Sequence, residues 1–453
     1  HGRREQQIAD LVALDDEDFH WLRSLGQGDR GRHAAPAAYN PFAMSAIQSP
    51  PASAGTHLEA VLLVALAVAL PLWEAPKNLL AAAFVLTWLT NRLRARRFGG
   101  PWDRWDTLIA IWIGSGVLVA AFAGIRFQEW RGTTDLLRYG LVLWCVKRSN
   151  LSDNAIFAVI GAAFVATALG LAWGYWRWVT EGKRVFIELH SVGHVNHSAI
   201  YVAIVLGMAQ SALMALWPRL GLTARAAGLS GLVCLLAFLV AMESRGALAA
   251  GLALAVVLPI AWWPRERHFG AAALLAVAMV TAALLVMRPT VVTKHLQNAA
   301  ADNVLSSRDR IWATSLSALR EYPVFGVGMD NYSRLDAQRV LGWSKARGEP
   351  VDEQAFFFAP HAHSLYFNTL AERGLAGFAA LLAVLGAWLA SLWRGYPGAR
   401  GRDAQWAAWG AAFSGWFVTV VAGMANTTLH HEHALLAVLM LGLWLNVRPG
   451  HAP

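Results

Sequence analysis

Long apolar stretches follow one another through most of this chain, near residues 58–74, 78–91, 106–125, 134–147, 153–175, 196–216, 223–243, 246–263, 269–287, 364–393, 404–424 and 433–447. Crossing the hydrocarbon core of a bilayer takes about 20 mainly apolar residues in a helix. With no water inside that core, only helices or closed barrels satisfy their own backbone groups. The pattern predicts an all-α polytopic membrane protein with about twelve transmembrane helices. The stretches at 78–91 and 134–147 are short and read as tilted or partly re-entrant spans. Only 15% of the residues are charged, against about 25% in soluble domains.

The net charge of +9 does not point to nucleic acid, because the basic residues sit in short loops between apolar runs rather than on one soluble face. "NRLRARRFGGPWDR" (91–104), "KRSN" (147–150), "WPRLGLTAR" (217–225), "WPRERHF" (263–269), "RGYPGARGR" (394–402) and "VRPG" (447–450) all fall on one side when the N-terminus is placed inside. The positive-inside rule makes that side cytoplasmic, with both termini on it. Four stretches are then outer: 175–201, "MESRGAL" (242–248), about 288–362, and "ANTTLHHEH" (425–433). The organisation expected is an N-terminal arm (1–55), nine helices (56–287), a large outer loop with amphipathic helices (288–362), then three helices and a tail (363–453). Residues 1–43, which start at His1 and include the acidic "LDDEDFH", read either as a cloning or start-site artefact or as a small cytoplasmic arm; they lack the apolar core and cleavage site of a signal peptide. Cys145 and Cys234 lie inside apolar runs, which argues against disulfides or a thiolate metal site.

Ionisable residues at a membrane edge are costly and mark functional sites. "HAHSLYFNTLAERGLAG" opens the tenth apolar run with His361 and His363 and carries Glu372 and Arg373 two turns in. At 100° per residue, Leu370, Gly374 and Gly377 share a face with His363, and the glycines would let a neighbouring helix pack close. His363 then points into the bundle, while Glu372 lies on the far side of the wheel and pairs elsewhere. Two roles are open for His363: a proton acceptor, or an imidazole satisfied by a backbone carbonyl at a helix start. Arg245, in the short turn of "MESRGAL" where Gly246 supplies the turn conformation, faces an anion or polar cavity, or pairs with Glu243. "SSRDRIWATSLSALREY" (306–322) reads as an interfacial helix with Ile311, Leu316 and Leu319 on one stripe, followed by the turn "PVFGVGMDNY". Its Arg308 and Arg310 suit phosphate oxygens; lipid headgroups are the other reading, above all for Arg310.

His194, His197, His430, His431 and His433 in "GHVNHS" and "HHEH" match no zinc-binding spacing. Helix-end caps are the favoured role, with His194, Asn196 and His197 as secondary site candidates. No metal and no cofactor are expected, and no phosphate-binding loop, dinucleotide fingerprint or nucleophile elbow occurs.

"HSLYFNTLAERGLAG" (363–377) resembles the histidine motif of bacterial O-antigen ligases: His, then Asn, Ser or Gln, nine residues, Gly, two residues, Gly. "SRGAL" (244–248) and "SSRDRIW…YPVFGVGMDNY" (306–332) look like two further hallmarks of the O-antigen ligase/polymerase superfamily, and the resemblance covers about 55–447. It implies a GT-C-like membrane glycosyltransferase in the inner membrane of a Gram-negative bacterium, with its site on the periplasmic side. The implied donor is O-antigen polysaccharide on undecaprenyl pyrophosphate, the implied acceptor lipid A–core oligosaccharide. His363 takes the role of base, Arg245 and Arg308 those of pyrophosphate ligands, and Ser364 is a secondary candidate as the second motif position. The transfer so implied is metal-independent and inverting, within lipopolysaccharide biosynthesis. An O-antigen polymerase or a protein O-oligosaccharyltransferase would use the same donor. A lipid or solute transporter would place ionisable groups near mid-membrane and show paired repeats, whereas here they gather at the outer face.

Overall fold

The computed structural model describes residues 54–182, 186–265, 278, 307–349 and 352–448. The N-terminal arm, the ninth expected span, residues 288–306 and the end of the tail lie outside the described residues. Those described are helical, with no strand among them. Helices α1 (Ala54–Leu72), α2 (Glu74–Ala95), α3 (Arg104–Ala121), α4 (Glu129–Lys147), α5 (Asp153–Glu181), α6 (Val195–Leu216), α7 (Leu222–Ala241) and α8 (Arg245–Ala261) precede two short ones, α9 (Arg308–Glu321) and α10 (Ala337–Ala346). Then come α11 (Leu365–Arg394), α12 (Asp403–Ala422) and α13 (His431–Val447). Among the described residues five segments are long and apolar enough to cross a membrane: α3, α5, Val195–Arg219, α7 and α11. Shorter apolar helices cover Thr56–Leu72, Arg245–Ala261 and His431–Val447. The remaining expected spans, α2, α4 and α12, fall outside those five and pack in the same bundle, against α1, α13 and α6 respectively. The stretches read as short form full helices, α2 of 22 and α4 of 19 residues.

Close helix approach at the centre comes from small residues. On α6, Gly207 and Ser211 stand one turn apart, as do Gly410 and Ser414 on α12. A Cβ on Gly207 would lie 2.3 Å from the Ser414 hydroxyl, and one on Gly410 would lie 2.1 Å from that of Ser211. Both serines are fully buried, and each hydroxyl donates to the carbonyl four residues back, Gly207 at 2.9 Å and Gly410 at 2.7 Å. Neither serine therefore brings an unsatisfied hydroxyl to the interface, and the van der Waals contact is gained without that penalty.

The basic loops meet at one end of the bundle. Arg148 donates to Gly100 O (3.0 Å) and Pro101 O (2.9 Å), Arg402 pairs with Asp153 (2.7 Å), and Arg219 with Asp403 (2.8 Å). Asp106, 1% exposed, anchors this end. It takes Lys147 Nζ at 2.7 Å, Arg148 Nη2 at 2.6 Å and Trp144 Nε1 at 2.9 Å, and closes a capping box with Asp103 at the start of α3. A buried carboxylate is tolerated because its lone pairs are filled.

At the opposite end, α9, α10 and the loops around them form a small second core on α11, with Ile311, Ala318, Val327, Tyr332 and Ala371 buried together. The face of α9 turned inward is Ile311–Thr314–Ser315–Ala318, and Leu316 is 41% exposed. The expected Leu316 stripe is thus corrected: Thr314 and Ser315 are buried because their hydroxyls meet Phe357 O (3.2 Å) and Tyr332 Oη (2.8 Å), which an apolar-spacing reading does not weigh.

Helix α11 is broken at Gly374 (φ 58°, ψ −162°). The break frees the carbonyls of Ala371 and Glu372, which accept from Val327 N and Gly328 N, each at 2.9 Å. The amides of Leu375 and Ala376 turn instead to Pro323 O (2.8 Å) and Val324 O (3.0 Å). The glycine-punctuated turn 323–328 is thereby plugged into the helix break, so that α9 and the start of α11 are fixed relative to each other.

Candidate functional site

Three loops remote in sequence converge at this second end: the start of α6, residues 359–364, and residues 423–433. The His361 and His363 rings are 4.2 Å apart, the His197 ring lies 6.4 Å from His361, and the rings of His430, His431 and His433 stand 6.2, 5.2 and 5.4 Å from His197. His194 follows at 6.0 Å from His197.

His363 itself is not on a helix, which corrects the helical-wheel placement. It sits in the turn before α11 with φ 47°, and Ser364 at the N-cap separates it from Leu365. The wheel also fails beyond Gly374, where the helix is interrupted. Among the described residues no carbonyl accepts a hydrogen bond from the His363 ring, so the carbonyl-satisfied alternative is not what the structure shows. Burial holds its pKa below the usual histidine value, and the Arg308 and His194 charges lower it further; the imidazole is neutral at pH 7 and able to take a proton. His361 is depressed to about 4, by burial first and then by His363.

Arg245 is the first residue of α8 and Arg308 the first of α9. Burial lowers the pKa of Arg308, and Arg245 close by lowers it again; Arg308 in turn acts on His363. Arg308 is thus within electrostatic reach of both Arg245 and His363. Arg308 Nε donates to Ala425 O at 3.1 Å, tying α9 to the loop before α13. Trp312, one turn on, stacks on Phe367 of α11 with centroids 4.8 Å apart and planes 13° from parallel.

Strained backbone concentrates here. Of the seven described non-glycine residues with positive φ, six (Glu243, Ser307, Asp330, His363, Leu429, His431) lie in the loops at this end, and Glu243 and Ser307 come just before Arg245 and Arg308. Left-handed conformations in bulky residues cost of order 1–3 kcal/mol each and gather at functional sites. It is Glu243 (φ 55°), not Gly246, that turns the "MESRGAL" corner. Gly246 is helical and leaves room for Asn426, whose Nδ2 would be 3.1 Å from an added Cβ.

The remaining candidates are placed less centrally. Arg310 turns to the loop of 356–358, donating from Nη2 to Phe356 O at 2.9 Å. Ser364 Oγ donates to Gly423 O at 3.3 Å and is 1% exposed. The His194 Nδ1 accepts from Asn196 N at 3.2 Å, capping α6 as expected. Glu372 is a brace, with its carboxylate accepting from Tyr332 N (3.2 Å) and Asn368 Nδ2 (2.9 Å), and Arg373 donates to Ser115 Oγ at 2.7 Å. Among the described residues no three His, Cys, Asp or Glu side chains are placed to hold a metal ion. Asp330, with Oδ1 3.9 Å from His430 Nε2, and the buried pair Lys77–Glu432 escaped the sequence reading. The signal for the pair was present: a lysine and a glutamate at the ends of apolar runs.

Residues 230–382 match the family model described as O-antigen ligase. The chain carries an O-antigen ligase family domain. The match runs from α7 to the middle of α11 and contains Arg245, Arg308 and His363, whereas the histidines at 194–197 and 430–433 lie outside it. Among curated proteins, none matches the chain. Family and fold together make this a membrane enzyme of the glycan-transferring ligase and polymerase type.

Proposed function

We propose that the protein is an O-antigen ligase, moving O-antigen polysaccharide from undecaprenyl pyrophosphate to a hydroxyl of lipid A–core oligosaccharide. The observation that carries this is the group formed by Arg245, Arg308 and the neutral His363 at one end of the bundle. Two guanidinium groups close to each other at this end suit the oxygens of a pyrophosphate. Arg245 and Arg308 hold the donor's pyrophosphate and neutralise the charge that grows on its bridging oxygen as the bond to the anomeric carbon breaks. His363 takes the proton of the acceptor hydroxyl while that oxygen forms the new glycosidic bond. Attack opposite the leaving group inverts the anomeric carbon. Undecaprenyl pyrophosphate leaves with its charge met by the two arginines, so no metal or nucleotide is required.

The setting proposed is the inner membrane of a Gram-negative bacterium, with twelve spans in a GT-C-like bundle, both termini cytoplasmic and the histidine end periplasmic. The positive-inside bias of the basic end supports that orientation. The test is reconstitution from purified protein, lipid-linked polysaccharide and lipid A–core in excess EDTA. A shift of the lipopolysaccharide ladder is expected. Elongation of the lipid-linked glycan without transfer to lipid A–core would make the protein a polymerase, and loss of transfer under EDTA with rescue by magnesium would overturn the arginine mechanism.

A further inference from the structure

A groove of about 380 Å³ leads away from the histidine cluster between the starts of α2, α4 and α13, lined by Lys77, Arg131, Asp135, Arg138, Asp330 and Glu432 among others. Its size falls within the roughly 300–1,000 Å³ of small-molecule sites. Pro360, His430 and His431 form its rim toward His361 and His363. Behind it, sharing Asp135, Asp330 and His430, lies a pocket of about 70 Å³, room for about five waters or the hydroxyls of a sugar ring.

The inner pocket is lined by polar side chains, among them Asp135, Asn368, Thr369 and Thr428. The groove's charges are held in place by one another: Arg138 Nη2 is 2.9 Å from Asp135 Oδ1, Arg131 Nε 3.6 Å from Asp330 Oδ2, and Lys77 bridges Glu74 and Glu432. Ion-paired side chains of this kind keep spare lone pairs and N–H groups, the complement of a polyol.

Charge decides which substrate enters. Four carboxylates (Glu74, Asp135, Asp330, Glu432) face three fixed cations (Lys77, Arg131, Arg138) along the groove, whereas neither Arg245 nor Arg308 lines it. A pyrophosphate belongs with the arginines and is repelled by the carboxylates. We infer that the groove holds the acceptor saccharide, with Asp330 and Asp135 accepting its hydroxyls and setting which one is presented to His363. Asp330 is fixed for this by a left-handed backbone (φ 62°) and by its neighbours Arg131 and His430. The assignment rests on the transfer reading above.

The test uses full-length protein carrying Asp330→Asn or Asp135→Asn; asparagine tolerates the left-handed conformation at 330 as well as aspartate does. Each variant should raise the KM for lipid A–core about tenfold or more, the loss expected for one charged hydrogen bond, with the KM for lipid-linked donor and kcat within about twofold. An unchanged acceptor KM, or a donor KM that rises instead, overturns the assignment. Wild-type protein that transfers nothing to lipid A–core refutes the transfer reading instead. The groove is then judged by fluorescence anisotropy with labelled delipidated core oligosaccharide and labelled O-antigen glycan. Binding of either that weakens about tenfold in Asp330→Asn keeps the groove as a saccharide site, and binding equal in both proteins, or absent, removes it.

Discussion

Replacing Gly374 with alanine probes the joint on which the site is assembled. At φ 58° and ψ −162° the residue occupies a region open essentially to glycine alone, where another residue costs about 1–3 kcal/mol. A Cβ there would stand 2.4 Å from Val324 O and 2.7 Å from Gly326 N, backbone atoms that move only if the plugged turn moves. The chain has one alternative: straighten α11 and restore the two helical bonds from the amides of 375 and 376 to the carbonyls of 371 and 372. That forfeits the four bonds to residues 323–328, a net loss of two, at about 0.5–1.5 kcal/mol each. Either route destabilises the protein by about 1–3 kcal/mol, and the second also unplugs the turn that seats α9 and Arg308. Gly374→Ala should therefore lower the melting temperature in detergent and reduce transfer together. Gly386→Ala in the same helix, where a Cβ meets nothing within 4 Å, is the control and should be neutral or slightly stabilising. A Gly374→Ala protein with wild-type melting and wild-type transfer would refute the plugged-break account.

Three further outcomes are expected. Arg245→Lys and Arg308→Lys should each lose most transfer activity, because a point charge does not reproduce the guanidinium fork, while Arg310→Ala, whose Nη2 meets a loop carbonyl, should keep most of it; in vitro ladder assays decide this, and the reverse ranking would displace the phosphate end. Asp106→Ala leaves Lys147 and Arg148 buried without their shared carboxylate and should cost about 3–5 kcal/mol, read as a large drop in melting temperature; a drop of a degree or less would mean that water reaches those cations. His361 has its folded pKa near 4 against about 6.5 unfolded, so the unfolded chain binds the proton more readily. The stability it represents is whole above pH 6.5 and is lost as pH falls toward 4. That amounts to about 3 kcal/mol from the 1.36 kcal/mol per unit rule. His361→Asn should flatten this part of the melting-temperature profile, and an unchanged slope would show that His361 is not buried neutral.

The bundle was legible because hydrocarbon thickness dictates the length of an apolar run, and the basic loops marked one end for an electrostatic reason. Arg245, Arg308 and His363 were legible through motifs, but their arrangement was not. The helical wheel put His363 on α11 because it assumes that a helix begins where polarity falls, whereas the Ser364 N-cap and the left-handed turn at His363 start it two residues later. Gly374 looked like a packing glycine, and its conformation became evident only with the turn 323–328 docked against it. Asp330 lies inside the quoted turn "PVFGVGMDNY", but nothing there revealed its neighbours Arg131 and His430, which come from helix ends some 200 and 100 residues away in the chain. Convergence of the three histidine loops is likewise a property of topology rather than of spacing.

The most direct test of the mechanism is single-turnover transfer by His363→Gln with donor binding followed in parallel. A base acting on the acceptor hydroxyl contributes about 10²–10⁴-fold, so transfer should fall by that factor while the affinity for lipid-linked donor stays within about twofold, since Arg245 and Arg308 remain in place. Transfer near the wild-type rate, or transfer and donor binding lost together, would contradict the assignment of His363 as the base.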